Sequence, residues 1–301
     1  MRSVSGATLA FALCVLHGAC DPEGADRTAE GPTPTGDASA LASAPAPKPG
    51  QFVQPPRPAF DPNPLKLPGS APTIAPDSLV YTVPKRVLET ATVGSSFVLR
   101  AAVAQAVEGG NVIVRIGRGP SYPVHPAYVL VPQRGPLPRG CPVLAPYRGQ
   151  LGHAVVMAAK RDLVTVRYTD IGPGYGDQPL PVREVAPQSP GLVPGNYALV
   201  PDGDVLRLVL LLSGGVHPDG KRRWLVLSYA GEASLVEEER LQPMRLDYQP
   251  KVGAVVSVPW LGIMVPGKVT DADPHGLCTV RRARTAPPLV LGPGMLMPAS
   301  K

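Results

Sequence analysis

Four prolines, Pro132, Pro187, Pro243 and Pro298, recur at intervals of 55, 56 and 55 residues. Each closes a short apolar segment: Tyr128-Val129-Leu130-Val131-Pro132, Arg183-Glu184-Val185-Ala186-Pro187, Glu239-Arg240-Leu241-Gln242-Pro243 and Met295-Leu296-Met297-Pro298. The openings match as well, because Val93-Gly94, Arg139-Gly140, Pro194-Gly195 and Val252-Gly253 each precede an apolar run. A period of this length is that of one supersecondary unit repeated along the chain, and an atypical end unit is common in such arrays.

The content of the unit is β-structure. With 32 glycines and 40 prolines in 301 residues, long helices are excluded, since proline breaks them and glycine weakens them. The 44% of apolar residues nevertheless provides for a core. The third unit shows the layout best. A short strand from Tyr197 to Val200 is followed by the turn Pro201-Asp202-Gly203-Asp204, whose residues suit a tight reversal. A long apolar strand follows from Val205 to Leu212, and a polar hairpin from Ser213 to Lys221. A strand from Arg223 to Tyr229 alternates in polarity, and a fourth runs from Ala233 to Val236. Glu237 to Arg240 is long enough for one helical turn, and Leu241 opens a last short strand. In the first unit the turn between the first two strands is lacking. There 101–107 reads equally as helix, and 79–83 as a borrowed strand.

Five short strands with one helical turn before the last describe a small barrel. Pro142-Val143-Leu144-Ala145-Pro146-Tyr147, then Leu163-Val164-Thr165-Val166-Arg167-Tyr168-Thr169-Asp170, then the proline-ended close, resemble Tudor-like domains of the SH3 type. The resemblance covers about residues 93–298 and implies an all-β fold: a tandem array of about four SH3-like (Tudor-like) five-stranded barrels after a disordered N-terminal segment. The barrels are expected at 78–135 (degenerate), 136–189, 190–246 and 247–301.

Residues 1–20 read as an export signal, with Arg2 before an apolar core from Ala7 to Leu16 that is too short to span a bilayer. Gly18-Ala19-Cys20 resembles the lipobox of bacterial lipoproteins, in which the cysteine carries the lipid; His17 departs from that pattern, and ordinary secretion is the alternative. Residues 21–77 are rich in Pro and Ala, as in Ala44-Pro45-Ala46-Pro47, and are expected to form a disordered linker. The layout implies a non-enzymatic, membrane-anchored lipoprotein of the bacterial envelope whose barrels serve protein interaction. The alternatives are a cell-wall or polyanion binder, suited to the net charge of +6, and an intracellular Tudor-like reader if residues 1–20 are not a signal.

Tudor-like domains that read methylated cations use an aromatic cage. Here the comparable places hold Tyr147 and Tyr168 with Asp170 in the second unit, Tyr229 in the third, and Trp260 with Arg282 nearby in the fourth. No unit has a full cage, so the tyrosines serve equally as barrel edges; Trp260, between Pro259 and Gly262, is the best exposed anchor, and Trp224 reads as core. Cys141 and Cys278 form a disulfide only if their units meet. A zinc site from Cys141, His153, His275 and Cys278 makes the same demand, and no cofactor is expected. Nucleophile-elbow, zincin and phosphate-loop patterns are missing. Aromatics at 5% are too few for a nucleic-acid stacking platform, so the expected partner is a protein, with peptidoglycan or another polyanion second.

Overall fold

The computed structural model describes residues 59–70, 72–169 and 176–299. The expected export signal, Cys20 and most of the expected linker lie outside these residues. Among the described residues no helix is long and apolar enough to cross a membrane.

Twenty strands account for the fold, five in each quarter of it. The first quarter holds β1 (Ser78–Thr82), β2 (Arg100–Glu108), β3 (Asn111–Arg115), β4 (Tyr122–Val124) and β5 (Val129–Leu130). The second holds β6 (Pro142–Tyr147), β7 (Gln150–Lys160), β8 (Leu163–Tyr168), β9 (Gln178–Pro181) and β10 (Ala186–Pro187). The third holds β11 (Tyr197–Asp202), β12 (Val205–Val216), β13 (Arg222–Leu227), β14 (Ala233–Glu237) and β15 (Gln242–Pro243). The fourth holds β16 (Val255–Trp260), β17 (Ile263–Ala272), β18 (Cys278–Arg281), β19 (Leu289–Leu291) and β20 (Met297–Pro298). The ambiguous stretch 101–107 is strand, paired with β1 and β3. Alternation decides this: Ala102 and Ala104 point into the core, and their neighbours are half-buried.

The expected tandem of Tudor-like, SH3-like barrels is corrected by the pairing of these strands. They form two open antiparallel sheets of ten strands each, and neither closes. Closure of a quarter on itself needs its fourth strand to bond its fifth. Instead a three-residue 3-10 turn follows β4, β9 and β14 (Pro126–Tyr128, Val182–Glu184 and Glu238–Arg240). The two-residue fifth strand then pairs with the first strand of its quarter: β5 with β1, β10 with β6, β15 with β11 and β20 with β16. Prolines at 123, 179 and 181 remove N–H donors from β4 and β9, which blunts those edges further.

The quarters join in pairs through a hairpin tip. The tip between β6 and β7 bonds to β2, with Arg100 opposite Gln150, Ala101 N–H donating to Gly149 O and Leu151 N–H to Leu99 O. The tip between β16 and β17 bonds to β12 in the same way, with Arg207 opposite Ile263 and Leu208 N–H donating to Gly262 O. Both tips turn through two residues of positive φ, Arg148 and Gly149 in one and Leu261 and Gly262 in the other, as a two-residue hairpin requires. The two sheets have the same pairing graph, so the repeat that folds is a ten-strand sheet, twice.

Cores cross between sheets. The largest apolar cluster joins Val80, Tyr81, Phe97 and Tyr128 to Leu144 of the second quarter and to Leu212, Leu225 and Leu227 of the third. Leu199 and Leu208 of the third quarter join the fourth-quarter cluster of Val256, Val258 and Leu296. Val155 and Met157 pack on Leu277, tying the second quarter to the fourth. The described residues thus belong to one compact unit. The reading of separate barrels serving as interaction modules of a lipoprotein is corrected with the barrels: shared cores leave no separate modules.

The final part of the expected linker is a strap docked on the first quarter. Leu67 is buried, Leu65 N–H donates to the Tyr128 hydroxyl, and His125 N–H donates to Pro62 O. The Asn63 side chain brackets Leu67 through both its N–H and its C=O, and Asp61 pairs with Lys66. His125 Nδ1 accepts from Ala127 N–H, which requires an unprotonated Nδ1. Burial holds the pKa of His125 below the ordinary imidazole value, with the Asp61 charge opposing. The neutral form is therefore favoured in the fold. Its stabilisation is present above the ordinary value of about 6.5 and lost as pH falls below it toward the folded value. The protection factors of the Leu65 and Leu67 amides, exchange being corrected for its intrinsic pH dependence, should be lower at pH 5 than at pH 7.5, and His125→Asn, which keeps the capping acceptor, should remove that difference. An unchanged pH response in the variant would show that His125 is not its source.

Candidate functional site

One hairpin tip, one turn and one loop bring four exposed apolar side chains together. Trp260 ends β16 at the tip and Leu261 follows it; Tyr229 stands in the turn after β13; Val98 lies in the loop before β2. Their exposures of 38%, 68%, 69% and 43% are unusual for large apolar side chains in one place. The turn at Tyr229 is tied by Gly231 N–H to Ser228 O and Ser228 N–H to Glu232 O. Tyr229 Cβ lies 2.9 Å from where a Cβ on Gly262 would stand, so the turn and the tip are in close contact.

These side chains line a groove of about 550 Å³ between the two sheets. Its deeper walls are Phe97, Leu99, Leu151, Leu208, Leu227 and Leu291. That volume is ordinary for a small-molecule site. Among the described residues, no Asp, Glu, Lys, Arg or His lines it. Its polar side-chain groups are few: Thr169 donates to His153 O, Ser228 accepts from Glu232 N–H, and Gln150, the Tyr197 and Tyr229 hydroxyls and the Trp260 indole N–H complete them.

Trp260 does not stand alone at the mouth. The Arg282 guanidinium lies over its ring, 3.2 Å from the centroid. Stacking of this kind favours the cation over the negative face of the ring and fixes the indole. Arg282 Nε is buried without a hydrogen-bond partner, and none of Arg281, Arg282 and Arg284 enters an ion pair among the described residues. The other basic run is different: Lys221 pairs with Glu237, Arg222 with Glu238 and Arg223 with Asp219, so it is neutralised.

The aromatics singled out from the sequence separate into two places. Tyr229 and Trp260 share the groove. Tyr147 and Tyr168 pack on each other in the second quarter, centroids 5.0 Å apart, outside it. Tyr168 is buried, its hydroxyl donates to Pro146 O, and Arg148 lies over the Tyr147 ring. Asp170 lies outside the described residues. Trp224 is core, its indole N–H donating to Glu238. The groove walls Phe97, Val98 and Leu99 were not singled out. The signal for them was the matched pair of tips, Tyr147-Arg148-Gly149-Gln150 and Trp260-Leu261-Gly262-Ile263, each an aromatic before an X-Gly reversal.

The cysteines and histidines are committed elsewhere. Both thiols are free. Cys141 packs against the second-quarter core and Cys278 lies within the fourth, and burial raises the pKa of each. His153 Nε2 bonds Gly195 O at 2.7 Å, and His275 is held between Arg139 and Asp273. Among the described residues no group of three or more His, Cys, Asp or Glu side chains is placed to hold a metal. A second cavity, of about 590 Å³, lies under the strap between Pro68, Pro126, Leu144, Pro194 and Leu212, and it too lacks a charged lining residue. No protein-family model matches the chain, and no curated protein matches it.

Proposed function

We propose that this protein is a non-catalytic binding protein that takes an apolar ligand into the groove between its two sheets. The observation that carries the reading is the convergence of Tyr229, Trp260, Leu261 and Val98, all exposed, on one uncharged groove. Leaving four such side chains in water has a free-energy cost, since burying one contributes about 1.5–3 kcal/mol. A ligand that covers them recovers it. Among the described residues of the lining there is no nucleophile–base pair and no charged group to stabilise a developing charge, so the groove suits holding rather than converting.

A neutral, solvatochromic dye tests this without assuming a ligand. Nile red should bind the full chain saturably, one per chain, with a blue-shifted emission. Trp260→Ala and Tyr229→Ala should each weaken it about tenfold, which is the loss of one such contact. Tyr147→Ala, outside the groove, should leave it unchanged. Binding that ignores both groove substitutions, or no saturable binding, overturns the proposal.

A further inference from the structure

The chemistry of the groove selects among apolar ligands. An extended peptide brings one N–H and one C=O per residue, and each must find a partner once buried. Beyond Thr169 and Ser228, the polar side-chain groups of the lining are those of Gln150, Tyr197, Tyr229 and Trp260, too few to satisfy the backbone of an extended peptide. An alkyl chain brings no such groups. The walls are aliphatic and aromatic from Leu151 and Leu208 out to Tyr229 and Trp260. At the Trp260 end Arg282 is stacked on the indole, with a buried Nε that has no acceptor and with no carboxylate paired to it among the described residues. A buried donor without an acceptor has a cost of about 1–3 kcal/mol, and a guanidinium is shaped to meet a carboxylate.

Resting on the groove being the binding site, we propose that its ligand is a long-chain fatty acid, with the alkyl chain along the apolar walls and the carboxylate at Arg282. The Trp260 indole lies between them: one face meets the guanidinium and the ring borders the groove. Arg282 thus has two tasks, to hold the indole in place and to receive the anionic head. Arg281, its neighbour in sequence, ends β18 as an exposed residue directly across from Lys268.

Fluorescent cis-parinaric acid, added to the full chain, supplies the direct measurement, and a series of saturated acids competing with it supplies the chemistry. Saturable binding of one acid per chain is expected, with energy transfer from tryptophan that falls in Trp260→Phe to what Trp224 alone supplies. Each added methylene should tighten binding about fourfold until the groove is filled, so dodecanoate should exceed decanoate about 15-fold. Dodecanoate should also exceed dodecanol by about tenfold, and Arg282→Gln should abolish that preference, the acid losing about tenfold more affinity than the alcohol does as the indole loses its support. Arg281→Gln, which removes the same charge, should alter neither.

Equal affinity for acid and alcohol in the unsubstituted protein overturns the carboxylate assignment while Nile red binding still supports the groove. The same holds if Arg281→Gln has the effect expected of Arg282→Gln, since net charge and not the site is then responsible. A chain-length response that is flat, or tighter binding of apolar peptides than of dodecanoate, overturns the fatty-acid assignment outright.

Discussion

Replacing Leu212 by alanine should destabilise the whole described body by about 2–5 kcal/mol, in one cooperative transition. Leu212 is a third-quarter residue, at the bulge where the register of β12 against β13 shifts. Its side chain is 1% exposed and packs in the cluster that holds Val80, Tyr81, Phe97 and Tyr128 of the first quarter. The lost methyl groups therefore leave a void in a core owned by both sheets. Were the quarters independent barrels, the substitution would unfold the third and spare the first. With a shared core, amides of β1 and β2 should lose exchange protection together with those of β12 and β13. Calorimetry gives the size and site-resolved exchange the extent. Protection retained in β1 while β12 opens would disprove the shared core.

This contrast is also where sequence and structure part. Strand placement was legible because local signals suffice for it. The reversal Pro201-Asp202-Gly203-Asp204, the apolar run after it and the alternation around Trp224 put β11, β12 and β13 close to where they lie. The turn before the last strand was legible too, at Glu238–Arg240. What was not legible is which edge bonds which. Pairing of β2 with β7 rests on one directly opposed pair, Arg100 and Gln150, and nothing about either residue type specifies the other. A five-strand pattern is compatible with a closed barrel and with half of an open ten-strand sheet; the difference lies in backbone bonds between residues about 50 apart. The site was half legible for the same reason. Trp260 and Tyr229 are exposed aromatics beside glycine turns, a local signal, whereas Phe97 and Leu99 become walls only because the first quarter packs on the third. The strap was misread as linker because Pro62, Pro64 and Pro68 look like spacer, while the contacts that hold it, at Tyr128 and His125, come from more than 55 residues away.

Gly231→Ala should be the most damaging single methyl that can be added near the groove, at about 2–4 kcal/mol. Gly231 has φ +81, a left-handed backbone that costs a residue with a Cβ about 1 kcal/mol or more. The added Cβ would also stand 2.6 Å from Phe97 O, a backbone atom that cannot rotate away. That approach exists because the two sheets are stitched here: Phe97 N–H donates to Gly231 O, Ala233 N–H to Ser95 O and Gly94 N–H to Ala233 O. Relief of the clash must move the loop 94–97 away from the start of β14, and at least the Phe97 bond is lost with it. Tyr229 rides on the same turn, and Val98 follows Phe97, so the groove should open as the stitch fails. Nile red affinity should therefore fall in Gly231→Ala at temperatures well below its unfolding midpoint, in step with faster exchange of the Phe97 amide. Ala230→Gly, one residue earlier and free of the clash, should show neither change. A Gly231→Ala protein that keeps full stability and full dye binding would mean that the sheets do not meet at Phe97, and the groove as described would not exist.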